Sequence, residues 1–158
     1  MTGERLQITV EVEPGATEVR SWYDPLFRQI TLHGDSADAT AFARVFLAVL
    51  TQLAEPVLKS RIRAHADDLG LPDFRVLVHP QKSRWGSCSA TGKVTLNTLL
   101  ILFPPDVVDF VILHELCHKF EMDHSERFKQ KMDELCPDWK ERDARLRACA
   151  RELPDFLL

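Results

Sequence analysis

Between Leu6 and Glu13 apolar and polar residues alternate: Leu6, Ile8, Val10 and Val12 against Gln7, Thr9, Glu11 and Glu13. A period of two marks a half-buried strand. Pro14-Gly15 signals a turn. Further strands are expected from Val19 to Tyr23 and from Phe27 to Leu32, with Gly34-Asp35-Ser36 closing the block. From about Ala37 to Leu69 the period changes. Phe42, Val45, Phe46, Val49, Leu50 and Leu53 recur at three and four residues, so a helix with one core-facing stripe is predicted. Pro56 is expected to kink or divide it. Leu58, Ile62 and Ala66 continue the face, and Gly70 with Pro72 stops it.

A second β region follows. Phe74 to Val78 reads as a strand, and strands through Arg84–Cys88 and Lys93–Leu99 flank Ser89-Ala90-Thr91-Gly92, a hairpin signal. Pro104-Pro105-Asp106 then opens a helix, predicted to run to about Glu121. Val107, Val108, Phe110, Val111, Ile112, Leu113 and Leu116 make it apolar almost all round, the pattern of a buried helix. Ser125 and Asp138 are candidate caps of two more helices, one showing Phe128, Met132 and Leu135, the other Trp139, Leu146 and Cys149. The pattern predicts an α+β fold with N-terminal strands, a second β unit, a buried helix and C-terminal helices. The 158 residues are expected to form a single domain, β-rich over residues 1–34, helical over residues 36–70 and completed by a core region over residues 74–158.

Composition narrows the setting. At 45% hydrophobic, a chain of this length builds a core without disulfides. Cys88, Cys117, Cys136 and Cys149 form no Cys-x-x-Cys pair, so free thiols in a reducing cytoplasm are expected. A net charge of −4 excludes the overall basic field of a nucleic-acid-gripping protein, while leaving room for a local patch. No run of about 18 apolar residues predicts a membrane span, and residues 1–20 lack the apolar stretch of a signal peptide.

The chemistry concentrates in one segment. His114-Glu115-Leu116-Cys117-His118 places two imidazoles one helical turn apart on one face, able to share one Zn²⁺. Glu115 falls beside that face, where a general base would act on water at the metal. A catalytic zinc needs a third protein ligand. His124 is the candidate, provided that the chain turns after about Glu121 through Met122-Asp123. The His-x-x-x-His-x-x-x-x-x-His spacing matches that of the metzincins, although Glu121 stands where those enzymes carry Gly. A bare His-Glu-x-x-His recurs by chance in helices. Here it sits on a buried helix, where such polar residues are costly unless something engages them. Cys117 lies between the ligands but points away from the metal, and Asp123 is open between orienting a His and shaping the turn. What would stabilise an oxyanion is open: Lys82, His79, Arg84 and Asn97 are polar residues on the preceding β unit, and a structural or surface role is expected for each ahead of a catalytic one.

The segment from Trp85 to about Leu146 resembles the YgjP-like metallopeptidase domain, a relative of the SprT-like and WLM zincins. The resemblance rests on Arg84-Trp85-Gly86-Ser87-Cys88-Ser89, Gly92, Leu96-Asn97, Pro104-Pro105, Val111 to His118, His124-Ser125 and Phe128. It departs at Asp123, where the family usually has Asn, and at Lys129, where it often has Trp. The resemblance implies a zincin-like fold with a small antiparallel sheet packed beside the buried active-site helix, zinc on His114, His118 and His124, Glu115 as catalytic carboxylate, and a polypeptide substrate. Two other functions compete with it: a zinc-binding module without turnover, and a protease recruited to DNA-bound proteins, as SprT-like and WLM relatives suggest by analogy of fold.

Overall fold

The alternating N-terminal residues form a sheet of their own. In the computed structural model, which describes residues 7–27, 29–35, 39–154 and 157, β1 is Gln7–Val12, β2 is Arg20–Asp24 and β3 is Gln29–Gly34. β3 lies in the middle, parallel to β1 and antiparallel to β2. The turn expected at Pro14-Gly15 is closed by the Ala16 N–H donating to the Glu13 carbonyl at 3.1 Å, with Gly15 at a φ of 83°. Leu6, Ser36, Ala37 and the side chain of Ile8 lie outside the described residues.

Helix α1 spans Ala39–Asp68. Of the two outcomes expected at Pro56, a kink or a division, the division does not occur. A proline inside a helix costs about 3 kcal/mol. Phe42, Phe46, Leu50, Ala54, Leu58, Ile62 and Ala66 are all buried at i, i+4 spacing, and burial of each large one contributes about 1.5–3 kcal/mol. By length and composition α1 is also apolar enough to cross a membrane, as a core helix of a soluble protein can be. The chain divides into two compact units, residues 1–52 with 154–158, and residues 53–153.

The second unit carries the remaining elements. Its strands are β4 (Val76–His79), β5 (Gly86–Cys88) and β6 (Val94–Asn97). The expected antiparallel sheet is mixed instead: the order is β4-β6-β5, with β4 parallel and β5 antiparallel to β6. The hairpin signal captures only β5 and β6. Its turn is closed by the Gly92 N–H on the Ser89 carbonyl at 2.7 Å, with Gly92 at a φ of 77°. β4 takes the far side of β6, so β6 is central and β5 is an edge.

A 3₁₀ turn over Thr98–Leu102 leads into α2 (Pro105–Cys117), followed by α3 (Glu126–Leu135) and α4 (Trp139–Arg151). α2 is buried nearly all round, packed in one core with Leu58, Ile62, Val94 and Leu96. It stops earlier than the pattern predicts. Past Cys117 the bonds tighten to i→i−3, Lys119 N–H to Leu116 and Phe120 N–H to Cys117, both at 2.9 Å, and this begins the reversal toward α3. An ion-pair cluster ties α1 to α2. Asp109 accepts from Arg61 Nε at 2.5 Å and Nη2 at 2.8 Å, and lies 2.8 Å from His65 Nε2.

Candidate metal centre

His114 and His118 stand one turn apart on α2 with ring centroids 5.1 Å apart. The reversal after α2 brings His124 onto them. Its Nε2 is 3.1 Å from Nε2 of His114, and its ring centroid is 4.8 Å from that of His118. One nitrogen from each of the three lies within 4.8 Å of the others. Among the described residues there is no other such group of three.

The reversal is held by Asp123, whose Oδ1 accepts the Ser125 backbone N–H at 3.1 Å. Hydrogen bonding from Ser125, by its side chain first and its backbone second, draws the Asp123 carboxyl below its ordinary range. Asp123 is therefore a turn residue in this structure. Ser125 occupies the N-cap of α3 without a side-chain cap bond. One helical turn on, Phe128 lies against all three imidazoles, at centroid distances of 5.0 Å to His114 and 4.7 Å to His118 and His124.

The donor set suits a divalent transition metal. Nitrogens that each lie 2.0–2.1 Å from a shared zinc can be no more than about 4.2 Å apart. The 3.1 Å pair meets that limit, and the widest separation in the triad, up to 4.8 Å, would have to close slightly to bind one ion. The Nδ1–H of His118 donates to the Glu121 carbonyl at 3.1 Å, which fixes its tautomer and leaves Nε2 as the free lone pair. Burial, and then the charges of the neighbouring imidazoles, pull His114 down to about 4. His118 is lowered as well, chiefly by burial. Both are thus held neutral, the form that binds metal.

Glu115 is 5% exposed and its Oε2 has no hydrogen-bond partner among the described residues. Burial pushes its carboxyl up to about 8, against the opposing charge of Arg84. A divalent cation alongside would draw it down again. The wall against Glu115 is bare backbone. A Cβ on Gly86 would sit 2.6 Å from Glu115 Cγ and Oε1. The cavity in front holds about 260 Å³, and Gly86, Ser87, Cys88 and Met122 line it together with the three histidines and Glu115.

The other polar candidates separate clearly. Asn97 is fully committed: its Nδ2 donates to the carbonyls of Gln81 at 2.8 Å and Arg84 at 3.0 Å, and its Oδ1 accepts from Leu99 N–H at 3.1 Å. It pins the 81–84 loop. His79 is exposed and lies 3.0 Å from the Pro80 carbonyl. Lys82 is exposed. Arg84 is exposed, and of these four its charge is the one that reaches Glu115. Cys117 is buried with its Sγ 3.7 Å from the Phe128 carbonyl, and burial pushes the thiol up to about 11, so it is inert. Lys119 holds the hairpin turn, donating to the Gly92 carbonyl with its Nζ 3.9 Å from the centre of the Phe74 ring.

Comparison with protein families matches residues 2–149 to the YgjP-like metallopeptidase domain. The chain belongs to this family. The match extends well beyond the Trp85–Leu146 segment that carries the visible motifs, and takes in the N-terminal strands. None of the curated proteins matches the chain. Among solved structures, it is similar to the crystal structure of the metallopeptidase zymogen abylysin from Pyrococcus abyssi. The TM-score is 0.53 at 21% identity, covering 60% of this chain and 95% of that one. The zymogen jannalysin from Methanocaldococcus jannaschii gives 0.47 at 19% identity, over 56% and 94%. The abylysin likeness shows a shared fold over the matched region.

Two residues gain a role that the motif alone does not give them. Gly86 makes room for Glu115, and Phe128 backs the three rings. A glycine inside a short strand, between Trp85 and Ser87, is the signal available in the sequence, since it marks a close approach of other atoms to the backbone. For Phe128 the sequence offers its core spacing and its place in the family pattern after His124-Ser125, neither of which shows that it touches the three rings.

Proposed function

We propose that the protein is a zinc-dependent metallopeptidase of zincin-like fold, cleaving polypeptides with Glu115 as general base. The observation that supports this most is the convergence of His114, His118 and His124 beside a buried carboxylate with a free oxygen. Zinc on these imidazoles would supply Lewis-acid polarisation of a carbonyl and activation of water. Glu115 takes the proton from the attacking water and passes it to the leaving amine. The enclosure by Gly86 holds its carboxylate in one place for both transfers.

The edge of β5 is the natural seat for an extended substrate. Asn97 N–H bonds Trp85 and Ser89 N–H bonds Lys93, at 2.8 and 2.9 Å, so the odd-numbered residues pair with β6. The backbone groups of Gly86 and Cys88 face the other way, where a substrate strand can add by main-chain hydrogen bonds. A non-catalytic zinc module would gain nothing from the Gly86–Glu115 fit. The four free cysteines favour a reducing, cytoplasmic setting.

Elemental mass spectrometry of the purified protein, with peptide hydrolysis alongside, tests the reading. About one zinc per chain is expected, weakened or lost in His124→Ala. Glu115→Gln should retain zinc and lose hydrolysis. Absence of metal after zinc is supplied, or a Glu115→Gln variant that cleaves like wild type, refutes it.

A further inference from the structure

Behind Glu115 lies a second hollow of about 200 Å³. It shares Gly86, His114 and Glu115 with the metal cavity, so the two meet at the catalytic carboxylate. Apart from Asp143 on α4, its remaining walls are apolar: Trp85 from the entry to β5, Phe110 and Val111 from α2, and Leu146 from α4. We propose that this hollow selects one apolar substrate side chain, of leucine or phenylalanine size, next to the scissile bond. The proposal rests on the peptidase reading above.

Size, wall chemistry and rigidity argue for it. Pockets that hold whole drug-sized ligands span roughly 300–1,000 Å³, so 200 Å³ suits a single side chain. Trp85 is braced by Phe103 at a centroid distance of 4.9 Å, so that wall is rigid. The one acid on the lining besides Glu115, Asp143, is engaged by Arg147 Nη2 at 2.5 Å. Its charge is thereby paired within α4, which lowers the attraction that would otherwise favour a lysine or arginine. Beyond the edge formed by His114, Glu115 and Asp143, a polar side chain would leave its hydrogen-bonding groups unpaired against Trp85, Phe110, Val111 and Leu146.

The test is titration calorimetry on the zinc-loaded protein with three hydroxamates: acetohydroxamate, one carrying an isobutyl branch and one carrying a carboxymethyl branch. The isobutyl compound is expected to bind about 10- to 100-fold more tightly than either of the others, the range for full burial of a leucine-sized group. Leu146→Phe should cut that advantage below about threefold, and Leu146→Ala should move it to a benzyl branch. Because each variant is judged by the ratio of its own affinities, general damage to a variant does not mimic the effect. If acetohydroxamate binds but the isobutyl branch adds nothing, or if its advantage survives Leu146→Phe, the pocket proposal falls and the open-metal reading stands. If no hydroxamate binds the zinc-loaded protein, the open-metal reading falls and takes the pocket with it.

Discussion

Gly86→Ala isolates one contact at the centre of the site. Gly86 is not among the glycines with positive φ, so alanine adds no backbone strain there. What it adds is a methyl group 2.6 Å from Glu115 Cγ and Oε1 and 2.8 Å from Cδ. Non-bonded carbons rest at about 3.5–4.0 Å, so the Glu115 side chain or the β5 backbone must give way by about 1 Å. Glu115 is flexible in principle, but at 5% exposure it has little free space to enter. With Glu115 in the proposed role of general base, a displacement of about 1 Å costs about 100-fold in rate, or roughly 2.7 kcal/mol at 1.36 kcal/mol per factor of ten. Overpacking should also lower stability by about 1–3 kcal/mol. The assay is kcat/KM on a quenched peptide pool, with zinc content measured on the same preparation. The expected result is a loss of about 100-fold at near-normal zinc occupancy, since no metal ligand is touched. Hydrolysis within threefold of wild type in a fully folded Gly86→Ala protein would show that the fit between this glycine and Glu115 does not matter.

Phe128→Ala removes the ring shared by all three imidazoles. A loss of about 3–5 kcal/mol in urea unfolding of the metal-free protein is expected, with zinc affinity about 10-fold weaker in a chelator competition; unchanged affinity would mean that the rings hold their places without it. Asp109→Asn should cost about 2 kcal/mol, between the values for exposed and buried ion pairs. Burial alone would raise the Asp109 carboxyl, but the hydrogen bonds and charges of His65 and Arg61 outweigh it and hold the group well below its usual range. Its stabilisation is therefore present above the unfolded-state pKa of about 3.9 and is lost as pH falls below it. The stability gap between wild type and Asp109→Asn should narrow by about 1 kcal/mol from pH 4 to pH 3; a constant gap in acid denaturation would contradict the assignment.

What can be read from the sequence is mostly local. His114, Glu115 and His118 are related by one turn of helix, so their mutual placement needs only the period of 3.6. His124 requires one further inference, a reversal within six residues of His118, and Asp123 with Ser125 supplies it. The central place of β6 is not legible. Strand order depends on pairing between distant segments, and the hairpin signal at residues 89–92 speaks only for the pairing of β5 with β6, not for that of β4 with β6. The helix boundary near Cys117 escapes the pattern because apolar periodicity runs on into residues that the reversal claims. Gly86 and Glu115 are 29 positions apart in sequence and touch only once β5 lies against α2. Asn97 looks available for chemistry, and only the folded loop shows that both ends of its amide are occupied.

Pro56 has a consequence for how the chain breathes. Lacking an N–H, it cannot donate to the carbonyl four residues earlier, at Gln52. Gln52 is also the last residue before the division between the two compact units. The hydrogen-bond ladder of α1 is therefore interrupted where the two units divide. Fraying that begins in residues 39–52 meets a missing rung before it reaches Leu58 and Ile62, which belong to the core of the second unit. Amide hydrogen exchange along this single helix should accordingly fall into two classes, with faster opening before the proline and slower opening after it. The part of α1 that carries Leu58 and Ile62 would then hold the core of the second unit while residues 39–52 open and close.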